Sequence, residues 1–425
     1  MKRRKFITTT AQGAIAATIL PRRVLGGKGY LAPNDRINLG YIGTGKQSYG
    51  LLSSINGPKE TLVVAACDVD KQKLANFVIQ AKKANEKKVA TDIQAYHNYR
   101  ELLDRKDVDA VVIVTPDHWH AQMAVDAAKA GKDIYCEKPL ALTIAEGRAM
   151  VNATRKYKRV FQTGSMQRSW FNFRQAAELV RNNYIGKISE INVSVGEPVK
   201  QCDLPALPAP DYLDWDLWVG PSLYRGYHPV LAPPIEDKNW AWWRGYRGFG
   251  GGLVTDWGAH MFDIVQWALN KDQSGPVKFV PPAKPGALDG LYFEYANGIR
   301  VNHKKWGVGN AIQFIGDKGK IEVSREFLRT SPENLANYQF GPQDKRVYFS
   351  NDHYQDWIHA IKTRSKPVCD VEIGHRSATV CNIVNIAYEL QRPLRWDPAK
   401  EVFDDKYANL MRTRPYRAPW DFTLF

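Results

Sequence analysis

Strands and helices alternate along the first part of this chain, and this alternation restricts the fold more than any other feature. Residues 37–42 (INLGYI) form a short apolar run, and residues 61–70 (TLVVAACDVD) are apolar until Asp68 and Asp70. Continuous apolar runs of this length are typical of strands buried on both faces of a parallel sheet. A polar helix is expected from Lys71 to about residue 88. The pattern predicts an α/β fold with a doubly wound parallel sheet.

Two further helix-strand units end in residues 110–116 (AVVIVTP) and 133–139 (DIYCEKP). Thr143 and Glu146, three residues later, predict a capping box at the start of the next helix. We therefore predict a Rossmann domain over residues 36–168.

The pattern changes after about residue 186 to pairs of strands. Asn297-Gly298 predicts a type I′ hairpin turn, and residues 317–319 predict another tight turn. Residues 200–250 are rich in proline and aromatic side chains. We predict that residues 169–425 form an α+β domain with an open, mainly antiparallel sheet, which binds substrate and forms oligomers.

The N-terminal segment differs from the rest of the chain. Arg3-Arg4 precede a weakly apolar stretch that ends at Pro21 and is too short and too polar to span a bilayer. Residues 1–27 resemble a twin-arginine export signal, which predicts a periplasmic or otherwise exported protein without a membrane anchor. An amphipathic tail on a cytosolic protein is the alternative.

Charge and cysteine usage narrow the class of protein. The formal charge is +15, of which six charges lie in residues 1–27, and no block of Lys and Arg follows. This diffuse excess argues against nucleic-acid binding. The five cysteines contain no CxxC pair. Because twin-arginine export moves folded proteins, we expect mostly buried thiols rather than disulfides.

A glycine-rich loop follows the first strand. Gly43 and Gly45, in the run GTGKQS, allow a tight turn and a close approach to a pyrophosphate before a helix expected to start at Leu51. The third glycine position is Ser48, so the motif is weak by itself. Asp68, 23 residues after Gly45, ends the next strand. A carboxylate there accepts from a ribose 2′-hydroxyl and repels a 2′-phosphate, which predicts NAD rather than NADP. A solvated strand-end residue is the alternative.

Two more strands end in polar motifs. Thr115 and Pro116 lie at the carboxyl end of a strand, where doubly wound sheets bind ligands. His118 and His120 follow, but no third ligand lies nearby in sequence, so we predict no metal. Glu137-Lys138-Pro139 ends the next strand.

A later, otherwise apolar helix contains Asp256, His260 and Asp263 at i, i+4 and i+7. Lys138, His260 and Asp256 converging beside a nicotinamide would suit the removal of a proton from a hydroxyl while hydride leaves carbon. The alternatives are a core histidine paired with Asp256 and a structural ion pair between Glu137 and Lys138.

These motifs resemble the Gfo/Idh/MocA oxidoreductase family. The match comprises the glycine motif, T-P-x-x-x-H, E-K-P and D-x-x-x-H, and it extends from about residue 36 to the end. The resemblance implies that Lys138 sits at the nicotinamide and donates to the reacting oxygen, with Pro139 fixing the bend. It implies that His260 is the general base and that Asp256 tunes its charge.

Residues expected at the cofactor share positions at the ends of the parallel strands. They are Gly43, Thr44, Gly45, Lys46, Gln47, Asp68, Thr115, Pro116, His120, Glu137, Lys138 and Gln167. The predicted substrate contacts are Arg168, Trp243, Arg244 and His260, with Arg247 as a further candidate.

The leading hypothesis is an exported NAD-dependent dehydrogenase that oxidises a secondary hydroxyl of a sugar, glycoside or cyclitol. The resemblance leaves open a glycoside hydrolase that uses NAD for transient oxidation, elimination and re-reduction. A binding protein without activity is a third class, and the presence of Lys138, Asp256 and His260 argues against it. We expect tightly bound NAD and a homodimer or homotetramer.

Overall fold

The computed structural model describes residues 35–58, 60–86, 88, 92–307 and 309–420. The export signal predicted at residues 1–27 lies outside this part of the chain. None of the helices within these ranges has the length and apolar character needed to cross a bilayer.

The first sheet is parallel and has the strand order β3-β2-β1-β4-β5-β6. Its strands are β1 (Ile37–Ile42), β2 (Thr61–Cys67), β3 (Gln94–Tyr96), β4 (Ala110–Ile113), β5 (Asp133–Cys136) and β6 (Phe161–Thr163). Because β1 lies between β2 and β4, the order in which strands are added to the sheet reverses at β1. A crevice opens there, beyond the carboxyl ends of the strands. The predicted doubly wound sheet is confirmed.

Five helices connect these strands. They are α1 (Lys46–Ile55), α2 (Lys71–Glu86), α3 (Tyr99–Leu103), α4 (Asp117–Lys129) and α5 (Ile144–Lys156). Helix α1 begins directly after Gly45, five residues before the expected start. The buried Ser48 Oγ donates to the Gly45 carbonyl at 2.6 Å, so this position holds the loop to the helix by a hydrogen bond. The predicted capping box of Thr143 and Glu146 is confirmed.

The second sheet has the strand order β13-β12-β11-β7-β10-β9-β8-β14-β15. Its strands are β7 (Ile188–Ser194), β8 (Lys278–Val280), β9 (Leu291–Glu294), β10 (Arg300–His303), β11 (Ala311–Gly316), β12 (Gly319–Val323), β13 (Leu328–Ser331), β14 (Leu394–Asp397) and β15 (Val402–Phe403). Neighbouring strands are antiparallel except β7 and β10, so the predicted mainly antiparallel sheet is confirmed. The Asn297-Gly298 turn is not type I′, because only Gly298 has a positive φ, +82°.

The helices of the second half are α6 (Phe171–Arg181), α7 (Trp215–Val219), α8 (Gly252–Asp256), α9 (Gly258–Ala268), α10 (His353–Thr363), α11 (Val371–Leu390) and α12 (Lys406–Leu410). Helices α6, α9 and α11 pack on one face of the second sheet, and apolar side chains such as Phe173, Phe262 and Phe314 form the core there. All five cysteines are buried free thiols, as predicted.

Two kinds of contact hold the halves together. Arg148 on α5 donates to both carboxylate oxygens of Glu372 on α11, at 2.8 and 2.9 Å. Near the C-terminus, Trp420 packs edge-on against Trp119 of α4 with ring centroids 4.8 Å apart. These contacts join α4 and α5 of the first half to α11 and to the C-terminal residues of the second half.

Candidate active site

A cavity of about 550 Å³ opens at the carboxyl ends of β1, β2, β4 and β5. Thirteen of the residues predicted to bind ligand or act in catalysis line it. They are Gly43, Gly45, Lys46, Gln47, Asp68, Thr115, Pro116, Glu137, Lys138, Trp243, Arg244, Asp256 and His260. The packing of the second half over the first sheet brings together motifs that are far apart in sequence.

The glycine loop is shaped for a close approach by a ligand. Gly43 has φ +92°, and a Cβ there would lie 2.7 Å from the carbonyl oxygen of Val114. No atom lies within 4 Å of the position of a Cβ on Gly45, so that side of the loop is open. The positive φ and the nearby Val114 carbonyl therefore require glycine at position 43, whereas Gly45 leaves room for a phosphate at the start of α1.

Asp68 both shapes this loop and lines the cavity. Its Oδ2 accepts from the Thr44 backbone N–H at 2.6 Å and from Thr44 Oγ1 at 2.8 Å. Its Oδ1 accepts from the Asp70 N–H at 2.9 Å. Burial raises the pKa of Asp68, although these hydrogen bonds and Lys73 oppose the shift. Thr44, predicted to bind the cofactor, is instead fully buried and orients Asp68.

These residues fit a dinucleotide. The open glycine loop can accept a pyrophosphate, and a carboxylate has about four acceptor sites, of which Asp68 uses three. The remaining acceptor site of Asp68 would be available for a ribose hydroxyl.

Lys138 is paired with the second half of the molecule. Its Nζ donates to Asp256 Oδ1 at 2.6 Å and to the Asp256 carbonyl at 3.0 Å. Burial by itself would raise the pKa of Asp256, but the charges of Lys138 and Arg244 outweigh it and the pKa is lowered. Glu137 accepts from the backbone N–H of Lys138 at 3.2 Å and from Gln47 at 3.3 Å. The ammonium of Lys138 thus pairs with Asp256, while Glu137 holds the backbone.

His260 is 3% exposed and neutral. Burial, followed by the charges of Lys138 and Arg325, holds the pKa of His260 well below its usual value. Arg325 Nη2 lies 3.2 Å from Nε2 of the ring. Because a guanidinium can only donate, Nε2 is the acceptor and the proton resides on Nδ1, which has no hydrogen-bond partner among the described residues.

The predicted coupling of Asp256 to His260 is wrong. Asp256 ends α8, and α9 begins at Gly258, so the three polar residues do not share one continuous helix. Asp256 binds Lys138, and Asp263 binds Arg168 and Ser377 at 2.8 and 2.6 Å. The polar stripe is divided between the cavity and a buried network.

Arg168 does not contact the cavity, and its predicted role in substrate binding is wrong. It is 1% exposed, and Asp263 and Asp272 both accept bidentately from its guanidinium. Because a buried charge requires its partners, Arg168 is a structural residue. Arg247, the further substrate candidate, pairs with Glu389.

Two predicted cofactor contacts act from behind the cavity wall. His120 is buried, and its ring nitrogens lie 2.9 Å from the Pro139 carbonyl and 3.0 Å from the Thr115 carbonyl. It therefore fixes the two loops that present Thr115 and Lys138. Gln167 is also buried, and its Oε1 accepts from Arg325 Nε at 3.1 Å.

Sequence reasoning missed two ionisable residues of the cavity. Asp117, the first residue of α4, is 4% exposed. Among the described residues, no other side chain forms a hydrogen bond or ion pair with its carboxyl group. Burial and the charge of Asp256 raise the pKa of Asp117 to about 8. Arg325 lies between β12 and β13, stacked 4.6 Å from the Trp257 ring. Asp117 stood within a recognised motif, whereas no pattern in the sequence distinguished Arg325.

The segment rich in proline and tryptophan closes the cavity. Arg244 stacks on Trp243 at 4.5 Å, and its Nε lies 3.7 Å from Asp256 Oδ1. Lys73 donates to the Pro233 carbonyl at 2.9 Å, which joins the segment to the first domain.

The described residues contain no group of three His, Cys, Asp or Glu side chains that could hold a metal ion. His118 Nε2 lies 3.0 Å from the Trp218 carbonyl.

Comparisons with known proteins agree with this geometry. Residues 37–165 match the oxidoreductase-family NAD-binding Rossmann fold, and residues 193–422 match the C-terminal alpha/beta domain of the same family. Myo-inositol 2-dehydrogenase from Thermotoga maritima is 24% identical over 346 residues, 78% of this chain and 88% of that protein. Glycosyl hydrolase family 109 protein 1 from a Shewanella species is 34% identical over 139 residues, only 32% of this chain and 30% of that protein.

Among solved structures, GenD2 from gentamicin A biosynthesis in complex with NAD has the same fold. The TM-score is 0.61 at 15% identity, with 89% of this chain and 99% of that chain covered. The two family matches together span both halves of the protein. This chain belongs to the Gfo/Idh/MocA family of NAD-binding oxidoreductases.

Proposed function

We propose that this protein is an NAD-dependent dehydrogenase that oxidises a secondary hydroxyl of a sugar, glycoside or cyclitol. One observation carries the proposal: Lys138 Nζ lies 2.6 Å from Asp256 and beside neutral His260, in the cavity that begins at the glycine loop. Bound NAD supplies the hydride acceptor. The named activity of the Thermotoga relative, an inositol dehydrogenase, also supports a cyclic polyol or sugar as substrate.

Lys138 and His260 have different tasks on the substrate hydroxyl. The Lys138 ammonium donates to the reacting oxygen and stabilises the negative charge that develops there. His260 accepts the hydroxyl proton at Nε2, the ring nitrogen that has a lone pair. Because Arg325 donates to this atom, the substrate oxygen and Arg325 compete for it. Asp256 holds Lys138 in place.

We further propose that NAD remains bound between turnovers. The segment from residue 207 to 243 contacts the first domain through the Lys71 N–H and the Tyr212 carbonyl at 2.9 Å, and through Lys46 and the Asn239 carbonyl. We expect these contacts to slow release of the nucleotide, because residues of this segment line the cavity. A retained cofactor has to be restored in place, either by a second substrate or within one catalytic cycle.

The second candidate is therefore an NAD-dependent glycoside hydrolase, which the 34% identity to the family 109 protein supports over a limited length. A carbinol-deuterated glycoside separates the two functions. The glycoside is incubated with NAD-loaded protein and free nicotinamide nucleotide. If the protein is a dehydrogenase, it releases keto sugar and leaves deuterium on the nucleotide. A hydrolase returns the label to the sugar and releases the aglycone without net redox. Absence of both products for inositols and glycosides would contradict the proposed function.

Export and assembly are also proposals. Arg3-Arg4 ahead of a weakly apolar stretch supports twin-arginine export to the periplasm. The five reduced, buried cysteines suit a protein that folds before transport. The open face of the second sheet supports a homodimer or homotetramer, which size-exclusion chromatography with light scattering would test.

A further inference from the structure

Arg325 is a half-buried cation in the cavity with unused hydrogen-bonding capacity. A guanidinium has five N–H donors. Arg325 uses Nε on the Gln167 side-chain oxygen and one Nη2 hydrogen on His260. No carboxylate of the described chain lies within ion-pair distance of it, and three of its donors have no acceptor there.

The surrounding charges leave an excess of positive charge at this end of the cavity. Lys138, Arg244 and Arg325 are the cations, and Asp256 and Glu137 are the carboxylates. Asp117 is mostly protonated at neutral pH, because burial and the charge of Asp256 raise its pKa to about 8. Burial lowers the pKa of Arg325, which means that its charge is held at a cost in free energy. The oxidised nicotinamide ring adds a further positive charge when NAD is bound.

The guanidinium of Arg325 packs against two tryptophan rings. Its guanidinium stacks 4.6 Å from the Trp257 ring and 5.3 Å from the Trp170 ring. Stacking of this kind leaves the edge of the guanidinium free, and the planar edge matches a carboxylate. The edge lies close to the proposed base, because Nη2 is 3.2 Å from His260 Nε2.

We propose that the substrate carries a carboxylate on the carbon next to the one that is oxidised, and that Arg325 binds this carboxylate. The inference rests on the proposed function and narrows its substrate to acidic sugars, such as uronic acids and their glycosides. The carboxylate can use the donors of Arg325 that have no acceptor, which lie next to the Nη2 contact with His260.

The test compares matched pairs of glycosides on the NAD-loaded protein. Methyl glucuronide is paired with methyl glucoside, and methyl galacturonide with methyl galactoside, so that each pair differs only at C6. Calorimetric titration should give at least one uronide a dissociation constant lower than that of its neutral partner. The expected preference is about tenfold to a hundredfold, the range of a charge-assisted hydrogen bond.

Variants on one hairpin assign the preference to Arg325. Arg325→Met should bring the two dissociation constants within about twofold, since no cation then faces the C6 group. Arg325→Lys should retain part of the preference, because it keeps the charge but loses the planar edge. Arg329→Met is the matched control: it removes an exposed arginine whose guanidinium lies 4.3 Å from the Phe327 ring, outside the cavity. It should keep the full preference.

Three binding results with the matched glycosides would overturn the inference. They are equal or tighter binding of both neutral glycosides, binding of neither uronide, and an unchanged preference in both Arg325 variants with NAD retained. Tighter binding of glucose 6-phosphate than of either uronide would refute a carboxylate as the ligand. Oxidation confined to neutral sugars would leave the proposed dehydrogenase intact and refute only the acidic substrate. Uronide binding that depends on Arg325 but gives no redox product would support the carboxylate site and contradict the proposed dehydrogenase.

Discussion

Replacement of Asp117 by asparagine should stabilise the protein, and more strongly as the pH rises. Asp117 is 4% exposed, and its pKa is raised from 3.8 to about 8 by burial and by Asp256. In the unfolded chain the carboxyl loses its proton near pH 4, whereas the folded protein keeps the proton until about pH 8. Between these values folding takes up one proton, so the wild-type protein loses stability as pH increases.

The magnitude follows from that single proton. One proton corresponds to about 1.4 kcal/mol per pH unit, so the wild-type protein should lose about 3 kcal/mol relative to Asp117→Asn between pH 5 and pH 7. The difference should level off above pH 8. Groups that do not interact with Asp117 titrate alike in both proteins, so their contributions to the pH dependence cancel.

The assay is urea unfolding of both proteins at pH 5, 6, 7 and 8, followed by tryptophan fluorescence. Asp104→Asn, which removes an exposed carboxylate from the same domain, is the control for the loss of one charge. Infrared spectroscopy should also show a protonated carboxylic acid band at pH 7 that is absent from Asp117→Asn. A difference in stability that does not change with pH, or that falls as pH rises, would refute the reasoning.

Three further predictions concern chemistry, cofactor and export. Lys138→Met and His260→Ala should each lower turnover by about 10²–10⁴-fold without preventing NAD binding, and the double variant should lose less than the sum, because both groups act on one hydroxyl. Wild-type turnover in Lys138→Met would contradict this role. The apo-protein should bind NAD at least about tenfold more tightly than NADP, because Asp68 repels a 2′-phosphate; equal affinities in a titration would argue against it. Replacing Arg3 and Arg4 by lysine should leave unprocessed protein in the cytoplasm, and normal processing on an immunoblot would exclude twin-arginine export.

The sequence by itself determined the parallel sheet and the edge at which ligands bind. Buried strands in a parallel sheet have continuous apolar runs, and each such run here ended in a recognisable motif at Gly43, Asp68, Thr115 or Lys138. Because parallel strands end at the same edge, their motifs had to meet there. The family resemblance then added Asp256 and His260 to the same site.

Only the tertiary structure decided how the charges are paired. Asp256 and His260 are four residues apart, as a helical ion pair requires, yet Asp256 binds Lys138, 118 residues away. Arg168 follows the last parallel strand, but its guanidinium turns into the core toward Asp263. Such pairs depend on where separate elements pack and on which side chains lose their contact with water. Periodicity along the chain contains neither quantity, and for the same reason Arg325 was found only in the folded structure.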